Sequence, residues 1–251
     1  MKNTIEFGVR GKFALFTDPL TRIGGEKCSY HIPTYEALKG IAKSIYWKPT
    51  FIWVIDAVRI MNTIRTQSKN MKPLEYGGGN TLAIYTYLAD VAYQVRAHFE
   101  WNNFREDLAQ DRVDGKHWEI ANRMIKKGGR QDVFLGSRES QGYVEPCRFG
   151  EGEGKYDTVD EIAYGLMFHG FDYPDETGKT DEDGSPNPDG LYRLHTRFWR
   201  PIVAKGVISF CHPRDCPVRR FVREMTPCPP STVGLQEPTL LPEMEVSNEL
   251  D

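Results

Sequence analysis

Lys116 and His117 stand side by side at the predicted start of a helix, within the segment VDGKHWEIANRMIKKGG. Asp114 can cap this helix, and apolar residues recur at helical spacing after it. Because a helix N-terminus carries partial positive charge, it disfavours cations and favours the neutral, basic form of each group. The pair could therefore supply a base for proton transfer if the side chains are also partly desolvated.

Tyrosine, lysine and histidine together could cleave RNA without a metal ion. This reaction needs a base for the 2′-hydroxyl proton, positive charge near the phosphorus and an acid for the departing 5′-oxygen. Tyr46 is predicted at the end of the first helix, on the same side of the sheet as Lys116 and His117. Its phenol could orient the 2′-hydroxyl or donate to a phosphate. The alternative is that Tyr46 packs in the core and that the Lys-His pair is ordinary surface.

No metal ligands and no cofactor are predicted. The sequence has no HExxH motif, and its other histidines share no spacing with carboxylates that is typical of a metal centre. The segment CHPRDC brings Cys211, His212 and Cys216 close together, but no second half-site accompanies them. This pattern favours buried or idle thiols over a metal site.

The net charge of −3 hides a segregation of charge along the chain. Residues 151–190 hold 12 acidic and 2 basic side chains, and residues 231–251 hold 5 acidic side chains and no basic one. The rest of the chain therefore carries +12. A basic body is typical of proteins that bind a phosphate polymer, although ordinary solvated surface charge explains it equally well.

The composition favours a globular cytoplasmic protein over a membrane or secreted one. No apolar run approaches the roughly 20 residues of a membrane span, and the N-terminus lacks the apolar core of a signal peptide. The five cysteines are scattered without CxxC pairs, which suits a reducing compartment. We therefore expect no membrane partner.

The hydrophobic pattern predicts the elements that must position the candidate residues. Strict alternation predicts strands and spacing of three or four predicts helices. The predicted order is a strand over 5–15, a helix over 33–47 capped by Thr34, strands over 51–61 and 81–101, the helix opened by Lys116 and His117, and a short strand over 132–137. The segment 66–80 (TQSKNMKPLEYGGGN) is predicted to be a polar loop.

This β-α-β-β-α-β order predicts an α+β fold with a ferredoxin-like N-terminal domain over residues 1–149. From about Gly150 the composition becomes rich in glycine and acids, and residues 150–230 are predicted to form a small, mostly β subdomain with a long acidic loop over 172–190. Residues 231–251 are predicted to be a disordered acidic tail.

Three long segments resemble one known family. They are residues 7–60 (FGVRGKFALFTDPLTRIGGEKCSYHIPTYEALKGIAKSIYWKPTFIWVIDAVRI), residues 80–101 (NTLAIYTYLADVAYQVRAHFEW) and residues 198–210 (FWRPIVAKGVISF). They closely resemble the type I-C (Dvulg) CRISPR-associated family-five proteins, d subtype, of the RAMP superfamily, and the resemblance extends over nearly the whole chain.

The resemblance implies a function and a site. It implies a RAMP/RRM-like N-terminal domain, metal-free cleavage of the hairpin repeats of precursor CRISPR RNA, and retention in the type I-C interference complex with the 5′ tag of the mature guide RNA. The family's catalytic tyrosine, lysine and histidine match Tyr46, Lys116 and His117. A substrate phosphate would then compensate the two cations at the helix N-terminus.

A second function remains open on the sequence. The protein could be a binding subunit that caps guide RNA in a larger assembly, with the Lys-His pair only holding a phosphate. The histidine favours the enzyme, because a binding protein has no need of a histidine in place of another arginine. Which of Tyr46, Lys116 and His117 is the general base stays undetermined by the sequence.

Overall fold

The computed structural model describes residues 2–19, 21–74, 76–177 and 192–225. The predicted tail over 231–251 and most of the predicted acidic loop lie outside the described residues. In chain order the elements are β1 (Thr4–Ala14), α1 (Tyr35–Ile45), β2 (Phe51–Ile60), β3 (Thr66–Met71), β4 (Ala83–Trp101), α2 (Lys116–Lys126), β5 (Val133–Phe134), β6 (Gln141–Pro146), β7 (Glu161–Ala163), β8 (Met167–Asp172), α3 (Pro174–Thr177), β9 (Tyr192–Trp199), β10 (Ile202–Ala204), β11 (Val207–Ser209) and β12 (Val218–Met225).

The fold is mixed α/β and is built mainly on antiparallel strands. Within the described residues, nine strands form one sheet in the order β5-β6-β1-β4-β2-β11-β10-β7, with β3 added beside β4. The strands β12, β9 and β8 form a second, three-stranded sheet. The long strand β4 lies at the centre of the large sheet, paired with β1 on one side and with β2 and β3 on the other.

Helix α1 forms where the sequence predicts it, because its start and its apolar stripe are both encoded locally. The hydroxyl of Thr34 accepts a hydrogen bond from the backbone N–H of Ala37 at 3.2 Å, which caps the first turn. Leu38, Ile41 and Ile45 recur on one face and are buried in the core. The helix therefore begins at Tyr35 and packs its apolar face in the core.

The polar segment predicted as a loop contains a strand. Residues 66–71 form β3, which pairs with β4 from Thr66 opposite Leu88 to Met71 opposite Ala83. Most of β3 is exposed, so it has no buried face and shows no apolar alternation. The ammonium of Lys69 lies 3.2 Å from the centroid of the Phe13 ring, a cation–π contact between β3 and β1, which pairs with the other side of β4.

The last strand of the predicted order is also corrected. The predicted strand over 132–137 is reduced to the two residues of β5. The strand that pairs with β1 is β6, with Val9 opposite Val144. β5 is joined to β6 by a short turn. Only two alternate residues of β6 are buried, Gly142 and Val144, so the strand is too short to show a clear pattern in the sequence.

The chain beyond residue 150 contributes to both sheets. Strands β7, β10 and β11 extend the large sheet, since Ile208 of β11 pairs with Val58 of β2. Strands β8, β9 and β12 form the small sheet. A buried ion pair between Arg197 of β9 and Asp172 of β8 joins two of its strands. Both sheets therefore depend on strands from this part of the chain.

On the face of the large sheet opposite to Phe99, acidic and histidine side chains form a network of polar contacts. Nδ1 of His98 lies 2.7 Å from a carboxylate oxygen of Asp56. Glu100 Oε1 lies 3.7 Å from Nε2 of His98 and 3.5 Å from Nε2 of His212. The hydrogen bond to Asp56 raises the pKa of His98, against the opposing effect of burial. Protonated His98 therefore stabilises the folded sheet.

This network predicts a pH dependence of stability. A histidine whose pKa is raised on folding stabilises most below its ordinary value of 6.5, and loses that contribution as the pH rises through the folded pKa. We expect wild type to exceed His98→Gln in free energy of unfolding by a larger margin at mildly acidic than at alkaline pH. Urea denaturation at several pH values measures this. His31→Gln, at an exposed position, is the matched control, and a margin for His98→Gln that does not change with pH contradicts the prediction.

Candidate active site

The end of helix α1 fixes the position of Tyr46. The predicted helix extends to Trp47, but the helix ends at Ile45 and Tyr46 follows in extended backbone. The N–H of Tyr46 donates to the carbonyl of Ala42 at 3.0 Å, and Nε1 of Trp53 donates to the carbonyl of Tyr46 at 2.7 Å. Both backbone groups of Tyr46 are therefore bonded, and its ring is held against the core.

Lys116 and His117 occupy the first turn of α2, as predicted. The predicted cap is wrong, however, because the N-cap residue is Gly115, in a left-handed conformation with a φ of 78°. Asp114 lies one residue too early, and its carboxylate accepts from the backbone N–H of Lys2 at 3.2 Å. Glycine adopts a positive φ at no steric cost, so it allows the sharp entry into the helix.

The structure brings all three predicted residues into one place. The hydroxyl of Tyr46 lies 2.9 Å from Nδ1 of His117. Nε2 of His117 lies 2.8 Å from the backbone carbonyl oxygen of Asp111. A carbonyl oxygen can only accept, so Nε2 carries the hydrogen and Nδ1 is the acceptor. Tyr46 therefore donates to His117, and the orientation of the phenol is fixed.

Aromatic side chains enclose His117. Its side chain is 0% exposed, and its ring centroid lies 5.2 Å from that of Phe51, 5.7 Å from that of Trp101 and 6.3 Å from that of Phe99. Strands β2 and β4 supply these rings. An imidazole enclosed by these three rings is held in one orientation, and a proton acceptor must be positioned in this way.

Lys116 differs from its neighbour in being accessible to solvent. Its side chain is 45% exposed and forms an ion pair with Asp111, so it is not desolvated. Asp111 also accepts from the hydroxyl of Thr50 at 2.8 Å. The hydrogen bond from Lys116 lowers the pKa of the Asp111 carboxyl. The Asp111 carboxylate is therefore ionised at neutral pH, and it neutralises the charge of the Lys116 ammonium in the free protein.

Asp111 is the member of the site that sequence reasoning missed. It contacts both Lys116 and His117, the first through its carboxylate and the second through its carbonyl oxygen. It ends a 3-10 helix over Glu106–Asp111 in which no residue is buried. Such a segment shows no periodicity, and the only signal was an acidic residue five positions before Lys116.

Burial also acts on the tyrosine. It raises the pKa of Tyr46, and the negative charge of Asp111 raises it further, while Arg130 opposes both. A free tyrosinate is therefore unfavourable in the closed site.

A basic cleft lies beside Tyr46. It is lined by Lys43, Ser44, Trp47, Lys48, Pro49, Arg130 and Gln131. The N–H of Arg130 donates to the carbonyls of Ser44 and Ile45, which bonds the end of α1 to the segment after α2. Trp47 is exposed at the rim. Cations beside an exposed aromatic ring can contact a phosphate backbone and an unstacked base.

Among the described residues, every helix is too short or too polar to cross a membrane.

Comparison with known proteins assigns the family. The model of the Cas5d family, described as "CRISPR-associated protein (Cas_Cas5)", matches residues 4–211. The CRISPR pre-crRNA endoribonuclease Cas5d of Mannheimia succiniciproducens is 29% identical over 163 residues, which cover 55% of this chain and 70% of that protein. A crystal structure of a CRISPR-associated protein is similar with a TM-score of 0.69 and 34% identity, over 86% of this chain and 96% of that one.

A second solved structure is that of a functionally uncharacterized protein from Streptococcus mutans. Its TM-score is 0.66 at 36% identity, again over 86% of this chain and 96% of that one. The matched residues include helices α1 and α2 and strands β2 and β4, which form the candidate site. On this evidence the chain belongs to the Cas5d family of CRISPR-associated proteins.

Proposed function

We propose that this protein is an endoribonuclease that cleaves the hairpin repeats of precursor CRISPR RNA by attack of a 2′-hydroxyl, without a catalytic metal ion. The observation that carries the proposal is the hydrogen bond of 2.9 Å from the Tyr46 hydroxyl to Nδ1 of His117. A phenol, an oriented imidazole and the lysine of the same helical turn provide the groups that such a cleavage needs. The name of the Mannheimia relative supports the same substrate class.

The proton path follows from the hydrogen bonds. As the 2′-oxygen attacks phosphorus, its proton passes to the hydroxyl oxygen of Tyr46, and the phenolic proton moves to Nδ1 of His117. The resulting imidazolium is stabilised by the Asp111 carboxylate, which lies 3.4 Å from Nε2. Tyr46 thus relays the proton, His117 accepts it and Asp111 orients His117, as is common where a nucleophile is activated by an oriented base.

Lys116 completes the reaction at the leaving group. An RNA phosphate replaces Asp111 as the partner of the ammonium, and Lys116 gives a proton to the 5′-oxygen as the bond from phosphorus to that oxygen breaks. The products are a 2′,3′-cyclic phosphate and a 5′-hydroxyl. Because Tyr46 and His117 are covered in the free protein, the RNA must move covering side chains aside to reach the phenol.

The binding surface we propose is the basic cleft beside Tyr46. Lys48 and Arg130 are exposed there and Trp47 offers a ring for stacking. We also propose that β1, α1, β2, β4, α2 and β6 are a ferredoxin-like, RAMP/RRM-type core, since their four strands lie in the order β6-β1-β4-β2. In this arrangement the site lies at one end of the helical layer, where the cleft opens.

We propose that the protein stays bound to the 5′ tag of the mature guide RNA and joins the other subunits of the type I-C interference complex in the cytoplasm. The second candidate function is capping of the guide RNA without cleavage. The buried His117 favours the nuclease, because a group that is 0% exposed cannot grip a phosphate and has its use in proton transfer.

Cleavage should persist in excess EDTA. The proposed chemistry uses only side-chain protons, so purified protein incubated with a hairpin repeat RNA is expected to retain its rate when divalent ions are chelated. The rate constant of single-turnover cleavage, followed on a denaturing gel, measures this. Loss of cutting in EDTA that magnesium restores contradicts the metal-free mechanism.

A further inference from the structure

A cluster of soft ligands lies where the small sheet meets the large one. His169 belongs to β8, and Cys211 and Cys216 lie in the loop between β11 and β12. A ring nitrogen of His169 and the two Sγ atoms lie within 4.8 Å of one another. The sequence placed His212 with these cysteines, but His212 points towards Glu100. The histidine of the cluster comes from a residue 42 positions earlier than Cys211.

The two sulfurs have the separation that a tetrahedral metal site requires. They are 3.6 Å apart. Two thiolates bound to one Zn²⁺ at ~2.3 Å lie ~3.8 Å from each other at a tetrahedral angle. Both cysteines are free thiols, one buried and one half-buried.

His169 is oriented as a metal ligand. Nε2 lies 3.2 Å from the carbonyl oxygen of Cys211, to which it donates. Nδ1 is buried and has no hydrogen-bond partner in the part of the chain that the structure describes. A ligating histidine commonly donates its other N–H to a carbonyl in this way, which fixes the tautomer that leaves a lone pair for the metal. The buried lone pair is otherwise costly.

The surroundings hold the imidazole in that orientation. The pairing of β8 with β9 shifts register between Phe168 and Gly170, so His169 is the extra residue of a β-bulge. Bulges re-aim a side chain. The ring stacks on Tyr35 with centroids 4.0 Å apart and meets the edge of Trp199 at 5.7 Å. The ring is therefore fixed before any metal binds.

We propose that a ring nitrogen of His169 and the sulfurs of Cys211 and Cys216 bind a Zn²⁺ ion, with a water molecule as the fourth ligand on the side of the half-buried Cys211. Two thiolates and an imidazole are a donor set that suits zinc. The ion joins β8 of the small sheet to the loop that leaves the large sheet. Its role is to fix the two sheets relative to each other.

This site is separate from the candidate active site. Tyr35, which stacks on His169, begins α1, and Tyr46 follows its last residue. Eleven residues of helix separate them by roughly 16 Å. Zinc removal should therefore act on stability and leave the chemistry of the folded protein unchanged. If a chelator abolishes cleavage only under conditions in which the protein also unfolds, the loss of cleavage is due to removal of this ion.

Metal analysis of the full-length protein tests the proposal. Protein purified without a histidine tag and without chelator should carry about one equivalent of zinc per chain. Cys211→Ser and Cys216→Ser should lose that zinc. Cys28→Ser and Cys147→Ser, at the two free cysteines that the structure describes outside the cluster, are the matched controls and should retain it.

A second measurement avoids reliance on variants that fail to fold. Wild-type protein stripped of zinc and given Co²⁺ should show thiolate-to-cobalt charge transfer and the visible bands of a tetrahedral site. His169→Gln should alter those bands, whereas His212→Gln should not. Zinc-free protein that also shows no thiolate-to-cobalt band overturns the proposal, as does a disulfide between Cys211 and Cys216 found by mass spectrometry of protein prepared under reducing conditions.

Discussion

A hairpin repeat RNA with one 2′-deoxy nucleotide immediately 5′ of the scissile phosphate is expected to bind this protein almost normally and to resist cleavage at that bond. The proposed nucleophile is the 2′-hydroxyl, whose proton passes to Tyr46 and then to Nδ1 of His117. Removing it removes the reaction, while binding loses a single hydroxyl among many backbone contacts. The expected result is complete loss of cutting at the modified position, measured by single-turnover cleavage beside a filter-binding assay.

The products of the unmodified RNA are the matching control. Attack by the 2′-hydroxyl must leave a 2′,3′-cyclic phosphate and a 5′-hydroxyl, which mass spectrometry and end-labelling identify. A water activated by a metal ignores the deoxy substitution. Efficient cutting of the deoxy hairpin, or a product that carries a 5′-phosphate, would show that the site does not perform the chemistry assigned to it.

Replacing His117 or Lys116 by alanine is expected to lower the cleavage rate constant by about 10²–10⁴-fold, because each removes a proton-transfer group. Hairpin affinity should change little. His117 is buried and makes no contact at the surface, and Lys116 is one cation among several near the cleft. Single-turnover rates and dissociation constants, measured on the same preparations, separate the two effects.

Two controls match the two substitutions. Ile125→Ala removes another buried side chain of α2 and is expected to cost about 2–5 kcal/mol of stability without affecting the chemistry. Lys126→Ala removes an exposed cation from the other end of the same helix. If Lys116→Ala and His117→Ala lose affinity and cleavage in parallel, the capping function is supported and the nuclease is not.

The order of the main elements could be predicted from the sequence because their signals are local. Apolar alternation over β4 and the stripe of Leu38, Ile41 and Ile45 on α1 depend on periods of two and 3.6 residues, which a short window contains. The exposed strand β3 could not be predicted this way. It lacks a buried face, so its residues show no apolar alternation. Only its pairing with β4 makes it a strand.

Tyr46, Lys116 and His117 were proposed from residue type, position in predicted helices and resemblance. The different environments of Lys116 and His117 could not be predicted in that way. Lys116 and His117 are neighbours in sequence, yet successive positions of a helix face different directions. One side chain is 45% exposed and the other is 0% exposed. Only the tertiary contacts of His117 with the rings of Phe51, Phe99 and Trp101 decide which of the two is enclosed.

Asp111 and His169 show the same limit more sharply. Each meets residues that the sequence does not indicate. The carbonyl oxygen of Asp111, at the end of a 3-10 helix, accepts from His117, and His169 lies beside two cysteines of the loop between β11 and β12. The sequence by itself determined the helices, the main strands and the chemical types available to the site, since these follow from local periodicity and composition. The tertiary structure alone decided which groups are buried, which hydrogen bonds fix their tautomers and which distant ligands meet, because these depend on long-range packing of the sheet.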